Sequence, residues 1–130
     1  MAAIELVSPA NKDRPESRKM FTSKCAALIQ QGVAVSIVDL VTVRSANLYA
    51  ELMAILGKSD LSFGDEPPAI YTSSTRWLNR GRRKMLESWS NVLHVGQTLP
   101  TIPLWLSEDL AIPLNLETSY ERACHDLWIA

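Results

Sequence analysis

Ile4-Glu5-Leu6-Val7-Ser8-Pro9-Ala10-Asn11-Lys12 and, one helix-length later, Val33-Ala34-Val35-Ser36-Ile37-Val38-Asp39-Leu40-Val41-Thr42-Val43 decide the fold. The first run is a short apolar strand carrying one acid. Ser8 to Lys12 ends it as a turn, because proline stops strand pairing and Asn favours turns. The second run is almost wholly apolar and β-branched, the pattern of a strand covered on both faces. Between them, Phe21, Cys25, Leu28 and Ile29 recur at helical spacing from Pro15 to Gln31, and Gly32 stands where a C-terminal cap belongs. Strand, amphipathic helix and buried strand in that order predict a right-handed parallel β-α-β crossover.

The rest of the chain extends this unit into an α/β fold with a mixed sheet. Asn47 to Leu56 places Leu48, Leu52, Ile55 and Leu56 on one helical stripe that stops at Gly57. Residues 58–68 are polar, contain Gly64, Pro67 and Pro68, and read as an exposed, mobile loop. Ala69 to Leu78 and Lys84 to Leu93 flank the turn Asn79-Arg80-Gly81-Arg82 and predict a β-hairpin. Leu99-Pro-Thr-Ile-Pro-Leu-Trp-Leu106 lacks two ladder donors, which confines it to an edge strand or to an extended strap that packs over the core without pairing fully. Leu116, Tyr120, Ala123 and Leu127 share one face of a closing helix, with Asn115 as N-cap and Glu117 in its first turn.

One domain is expected from 130 residues that are 47% hydrophobic and 21% charged. A formal net charge of −1 removes any global field that would hold nucleic acid or an anionic membrane. No apolar run is long enough to span a bilayer and the first residues carry no secretory pattern, so a cytoplasmic location is expected. Cys25 and Cys124 lie far apart and read as reduced core residues. His94 and His125 stand alone, so any metal would have to be held by carboxylates.

Glu5 and Asp39 are the residues with chemical potential, since an ionised carboxylate among Ile and Val needs a cation or donors. If their strands are neighbours, both carboxylates approach one end of the sheet. Lys12 in the turn and Arg18 and Lys19 on the helix are the cations within reach, and a carboxylate–lysine cluster of this kind can hold Mg²⁺ and orient a water. The commoner outcome for such residues is an ordinary structural ion pair. Trp77 among Arg76, Arg80, Arg82, Arg83 and Lys84 has the composition of a nucleic-acid surface, but charge at a hairpin tip also simply keeps a sheet edge soluble. Trp77, Trp89, Trp105 and Trp128 are expected in the core or an interface.

Ile-Glu-Leu-Val-Ser-Pro-Ala-Asn-Lys from Ile4, Ile-Val-Asp-Leu-Val from Ile37, Leu-Pro-Thr-Ile-Pro-Leu-Trp-Leu from Leu99 and Ala-Ile-Pro-Leu-Asn-Leu-Glu from Ala111 occur in an order that resembles the bacterial domain of unknown function 4058 family. The resemblance implies a core similar to the PD-(D/E)XK nucleases, also called restriction-endonuclease-like. Glu5 would be the motif glutamate and candidate metal ligand. Val7 occupies the usual lysine position, leaving Lys12, or after it Lys19, as a migrated replacement, with Asp39 as the acid of the following strand.

The resemblance also implies a longer architecture whose amino-terminal region supplies a Pro-Asp strand with the second metal ligand, and this chain begins just before the glutamate strand. The expectation is therefore a truncated, non-catalytic nuclease-like domain, without cofactor on its own, acting as a binding or assembly module. Its implied partners are a second copy or a chain carrying the upstream half, with an uncovered sheet edge as the contact. The alternative implied is a degenerate Mg²⁺-dependent nuclease completed by an upstream Pro-Asp segment.

Overall fold

A computed structural model describes residues 1–64 and 66–126. Strand β1 (Ala2–Leu6) leads through a short helix α1 (Pro9–Asp13) and helix α2 (Pro15–Gln30) to β2 (Ala34–Asp39). Helix α3 (Leu48–Ile55) and a single 3₁₀ turn (Leu61–Phe63) precede the hairpin β3 (Tyr71–Arg80) and β4 (Arg83–Val92). A second hairpin, β5 (Thr101–Trp105) and β6 (Ala111–Asn115), runs into α4 (Leu116–Asp126). The main sheet has the order β1-β2-β3-β4; β1 and β2 are parallel, and the other two pairs are antiparallel. The crossover and the hairpin expected from the sequence are both present. Leu127 and Trp128, assigned above to the closing helix and to an apolar contact, lie outside the described residues.

Two local expectations are corrected. Ser8 to Lys12 is not a simple turn: Pro9 fits the first helical position, and the Asn11 side chain accepts from both the backbone N–H and the hydroxyl of Ser8, at 2.8 and 2.9 Å, starting α1. The apolar run to Val43 outlasts its strand. Asp39 Oδ1 takes the Val41 N–H at 2.9 Å, which turns the chain out of the ladder and leaves Leu40 and Val43 exposed. Of the two alternatives for Leu99–Leu106, the edge strand is the one formed, with five register positions against β6. Leu106 N–H bonds to Leu110 O, so by alternation Pro103 and Pro113 face each other at a position that needs no backbone donor from either.

The two inner strands of the sheet, β2 and most of β3, are buried on both faces. Val35 and Ile37 of β2 and Tyr71 of β3 meet Phe21, Cys25 and Ile29 of α2 and Leu48, Tyr49 and Leu52 of α3 in one apolar cluster. Phe63, from the segment expected to be a free loop, is also buried there and packs edge-on against Tyr49 and Tyr71. The opposite face carries the β5–β6 hairpin, anchored by buried Ile102 and by Ser74 Oγ donating to Pro103 O at 3.0 Å. Tyr71, Thr72, Ser73, Ser74 and Thr75 are fully covered; hydroxyl pairs such as Ser36–Ser74 (3.0 Å) and Thr75–Ser88 (2.9 Å) replace the water lost, while the buried Ser73 Oγ has no hydrogen-bond partner among the described residues. Gly32 and Gly81, at φ of 85° and 65°, supply the left-handed backbone needed to close α2 and the two-residue hairpin loop. No helix among the described residues is long and apolar enough to cross a membrane.

The start of α3 shows how closely helix and sheet are joined. Asn47 caps it by accepting from Ala50 N–H at 2.8 Å, and the fully buried Tyr71 hydroxyl accepts from Tyr49 N–H at 2.9 Å. Tyr71→Phe keeps the ring and leaves that N–H without an acceptor. Urea unfolding is expected to show a loss of about 1–3 kcal/mol.

Candidate functional site

The residues singled out from the sequence divide between two places. Lys12 is carried by α1 over the carboxyl end of β2, where its ammonium lies 3.0 Å from Asp39 Oδ2 with both side chains fully buried. The remaining Lys12 donors reach Val41 O at 3.1 Å and Ala69 O at 3.0 Å, so the cation has three oxygen partners. Asp39 has its second oxygen on Val41 N–H. Burial pushes the Asp39 carboxyl above its ordinary range, against the pull of Val41 N–H and Lys12. This cluster is closed to solvent, and every ammonium donor is committed to protein oxygen.

Glu5 is elsewhere. It pairs with Lys24 of α2 at 3.0 Å, and the Lys24 side chain is largely exposed. The two acids do stand near the carboxyl ends of neighbouring parallel strands, Glu5 opposite Ile37 and so two register positions from Asp39, but each is paired with a different lysine. Lys12 is therefore the partner of Asp39 and not of Glu5, and the grouping of Glu5 with Lys12 is not formed. Lys19 is exposed and in no ion pair among the described residues, while Arg18 pairs with Glu51 at 3.1 Å. No group of three or more His, Cys, Asp or Glu among the described residues is arranged to hold a metal ion. Burial pushes the Cys25 thiol up to about 12, so it stays protonated in the core.

The basic hairpin also separates. Arg76 leaves the cluster altogether: it is buried on the β5 side, stacked 3.4 Å over Trp105, paired with Glu87 at 3.3 Å and donating to Glu108 O at 2.8 Å. Trp89 stacks on Trp105, so both rings are occupied. Trp77 packs its ring against the helical core, and Lys84 sits 5.2 Å from its centroid. Arg80, Arg82, Arg83 and Lys84 remain at the exposed tip.

A polar network that the sequence reading missed lies between α3, the 3₁₀ turn and β4. Asp60 accepts from Tyr49 Oη and Ser90 Oγ, each at 2.7 Å, and from the backbone and hydroxyl of Ser62. Ser88 joins through Tyr49 at 2.7 Å. Partial burial would raise the Asp60 carboxyl, but the donors from Ser62, Tyr49 and Ser90 outweigh it and hold the group below the usual range. Burial above all holds the Tyr49 phenol protonated well beyond neutral pH. A fixed carboxylate and a firmly protonated phenol make a positioning network and not a proton relay. Its sequence signal was the two-residue spacing of Ser88 and Ser90, which puts both hydroxyls on one face of β4, together with Asp60 two residues before Ser62.

Two outcomes are expected. Lys12→Met strands a buried carboxylate and should cost about 3–5 kcal/mol in urea unfolding, whereas Lys12→Met/Asp39→Asn, which removes both charges, should cost clearly less. Asp60 has a lowered native pKa, so its stabilisation is complete above the unfolded carboxyl value of about 3.9 and is lost as pH falls through the native value. Asp60→Asn should lower the melting temperature at neutral pH and make it fall less on acidification than in the wild type.

Comparison of the chain with known protein families, with characterised proteins and with solved structures finds no match.

Proposed function

We propose that this chain is a non-catalytic, nuclease-like α/β module that works by assembly, joining a second copy of itself along β1. The observation that carries this reading is the open side of that strand. Met1 O and Val7 N–H bond to β2, so in a parallel ladder the N–H and C=O groups of Ala2, Ile4 and Leu6 point the other way. Among the described residues β1 has a single neighbour in its sheet. Its outer edge has neither proline nor an outward charge: Glu5 is held to α2 by Lys24, and Ile4 and Leu6 are 43% and 71% exposed. Edges left this way are templates for another strand.

The sequence of the edge is self-complementary about Ile4. An antiparallel copy would set Ile4 against Ile4 and Ala2 against Leu6, with about six backbone hydrogen bonds. The apolar Ile4 and Leu6 side chains of both copies would then share one face. A twofold contact of this kind closes on itself. The kinship with nuclease-like cores is supported by the parallel crossover with an acid on its first strand and a lysine–aspartate pair at the end of its second. The separation of Glu5 from Lys12 favours the non-catalytic reading over the metal-dependent alternative.

Ile4→Pro tests the contact, because it removes an outward donor and leaves the β1–β2 ladder its bonds. Sedimentation at micromolar concentration should give a dimer for the wild type and a monomer for Ile4→Pro. A wild type that sediments as a monomer throughout that range would end the proposal.

A further inference from the structure

At the far side of the sheet from β1, a cleft of about 700 Å³ opens between α3, the segment after it and the start of β4. Its volume falls in the range of small-molecule sites, roughly 300–1,000 Å³. Three cations line it, Lys58, Arg83 and Lys84, and none is in an ion pair among the described residues. Among the described residues the single acid lining it is Asp60, whose oxygens are already held by Tyr49, Ser62 and Ser90. Among the described lining residues, three positive charges against one satisfied carboxylate make a local excess of positive charge on a chain whose net charge is −1. Ser62 and Ser88 lie in the same wall, their hydroxyls held in place by Asp60 and by the fully buried Tyr49 behind them. Leu61 and Met85, 88% and 50% exposed, add apolar surface beside the cations.

Cations in no ion pair, fixed hydroxyls and exposed apolar side chains are what an organic phosphate with a flat apolar body requires. We propose that this cleft binds a nucleoside phosphate, with Lys58 and Lys84 on the phosphates, the hydroxyl wall on the sugar, and Leu61 and Met85 against the base. A single nucleotide is favoured over a nucleic-acid strand. Binding along a strand depends on aromatic faces that stack successive bases. Here Trp77 is covered by the core and Lys84, and Trp89 and Trp105 are stacked with each other and with Arg76.

Calorimetric titration of the whole chain with ADP, adenosine, pyrophosphate and a thymidine oligonucleotide tests this directly. ADP is expected to bind more tightly than adenosine or pyrophosphate alone. Lys58→Glu and Lys84→Glu, both at exposed positions that leave the core intact, should each weaken ADP at least about tenfold, the scale of one lost charge-assisted hydrogen bond. Thermal unfolding of each variant verifies the fold. No binding of ADP, equal affinity for ADP and pyrophosphate, or ADP affinity indifferent to both substitutions overturns the proposal. Tighter binding of the oligonucleotide than of ADP overturns it in favour of a strand-binding surface.

Discussion

The buried contact between Lys12 and Asp39 is the constraint on which the arrangement of the crossover depends. Two charges removed from water are tolerated only when each is met by opposite charge and by further hydrogen bonds. Here the partners come from four separate segments: α1 supplies the ammonium, the end of β2 the carboxylate, the following turn Val41, and the approach to β3 Ala69. Moving any one of these would leave a charge or a carbonyl unpaired at full burial. The pair therefore fixes where β2 stops, how the chain turns towards α3, and where β3 enters the sheet. Its weight is structural, which is why the same two residues that look like fragments of a catalytic centre are sealed from solvent.

The central strand β3 repeats this principle without charge. It is buried on both sides yet rich in serine and threonine, a sequence that an apolar sheet would not tolerate. Most of these hydroxyls find partners on their own face, Ser73 Oγ being the exception among the described residues. On one side Ser74 bonds to Ser36 and to Pro103 O, so the β5–β6 hairpin is drawn against the sheet by polar contacts as well as by Ile102. On the other, Thr75 joins Ser88, Tyr49 and Asp60 in a chain that ties β4 to α3 and to the 3₁₀ turn. Satisfied networks of this kind specify one packing, because alternatives leave buried groups unpaired.

Local pattern made the crossover, the β3–β4 hairpin and the Asn115 cap of α4 legible, the last realised by Thr118 N–H bonding to Asn115 Oδ1 at 2.9 Å. Those features rest on periodicity and on contacts three or four residues apart. What the sequence concealed depends on distant partners. Nothing near Lys12 indicates that it will find Asp39 in preference to Glu5; that choice is made by α1, whose five residues are too short to show helical periodicity. Asp60 looked like an ordinary loop acid because its donors, Tyr49 and Ser90, are on other elements. Arg76 looked like one more surface cation, and only the alternation of β3 sends it to the face opposite Lys84, beneath Trp105.

The two edges of the main sheet differ in a way that bears on how far association could proceed. β4 begins with Arg83 and Lys84, and towards its other end Ser90 is engaged by the 3₁₀ turn through Ser62 at 2.8 Å. Charge and a covering segment both oppose the addition of another strand there. β1 has neither defence. Pairing two chains through β1 would bury both vulnerable edges and leave the two protected β4 edges outermost, so the same contact could not be repeated and growth would stop at two copies. The cationic clefts would then lie at opposite ends of one continuous sheet, too far from the twofold contact for like charges to oppose it appreciably across several strand spacings, since screening at physiological salt acts over about 8 Å.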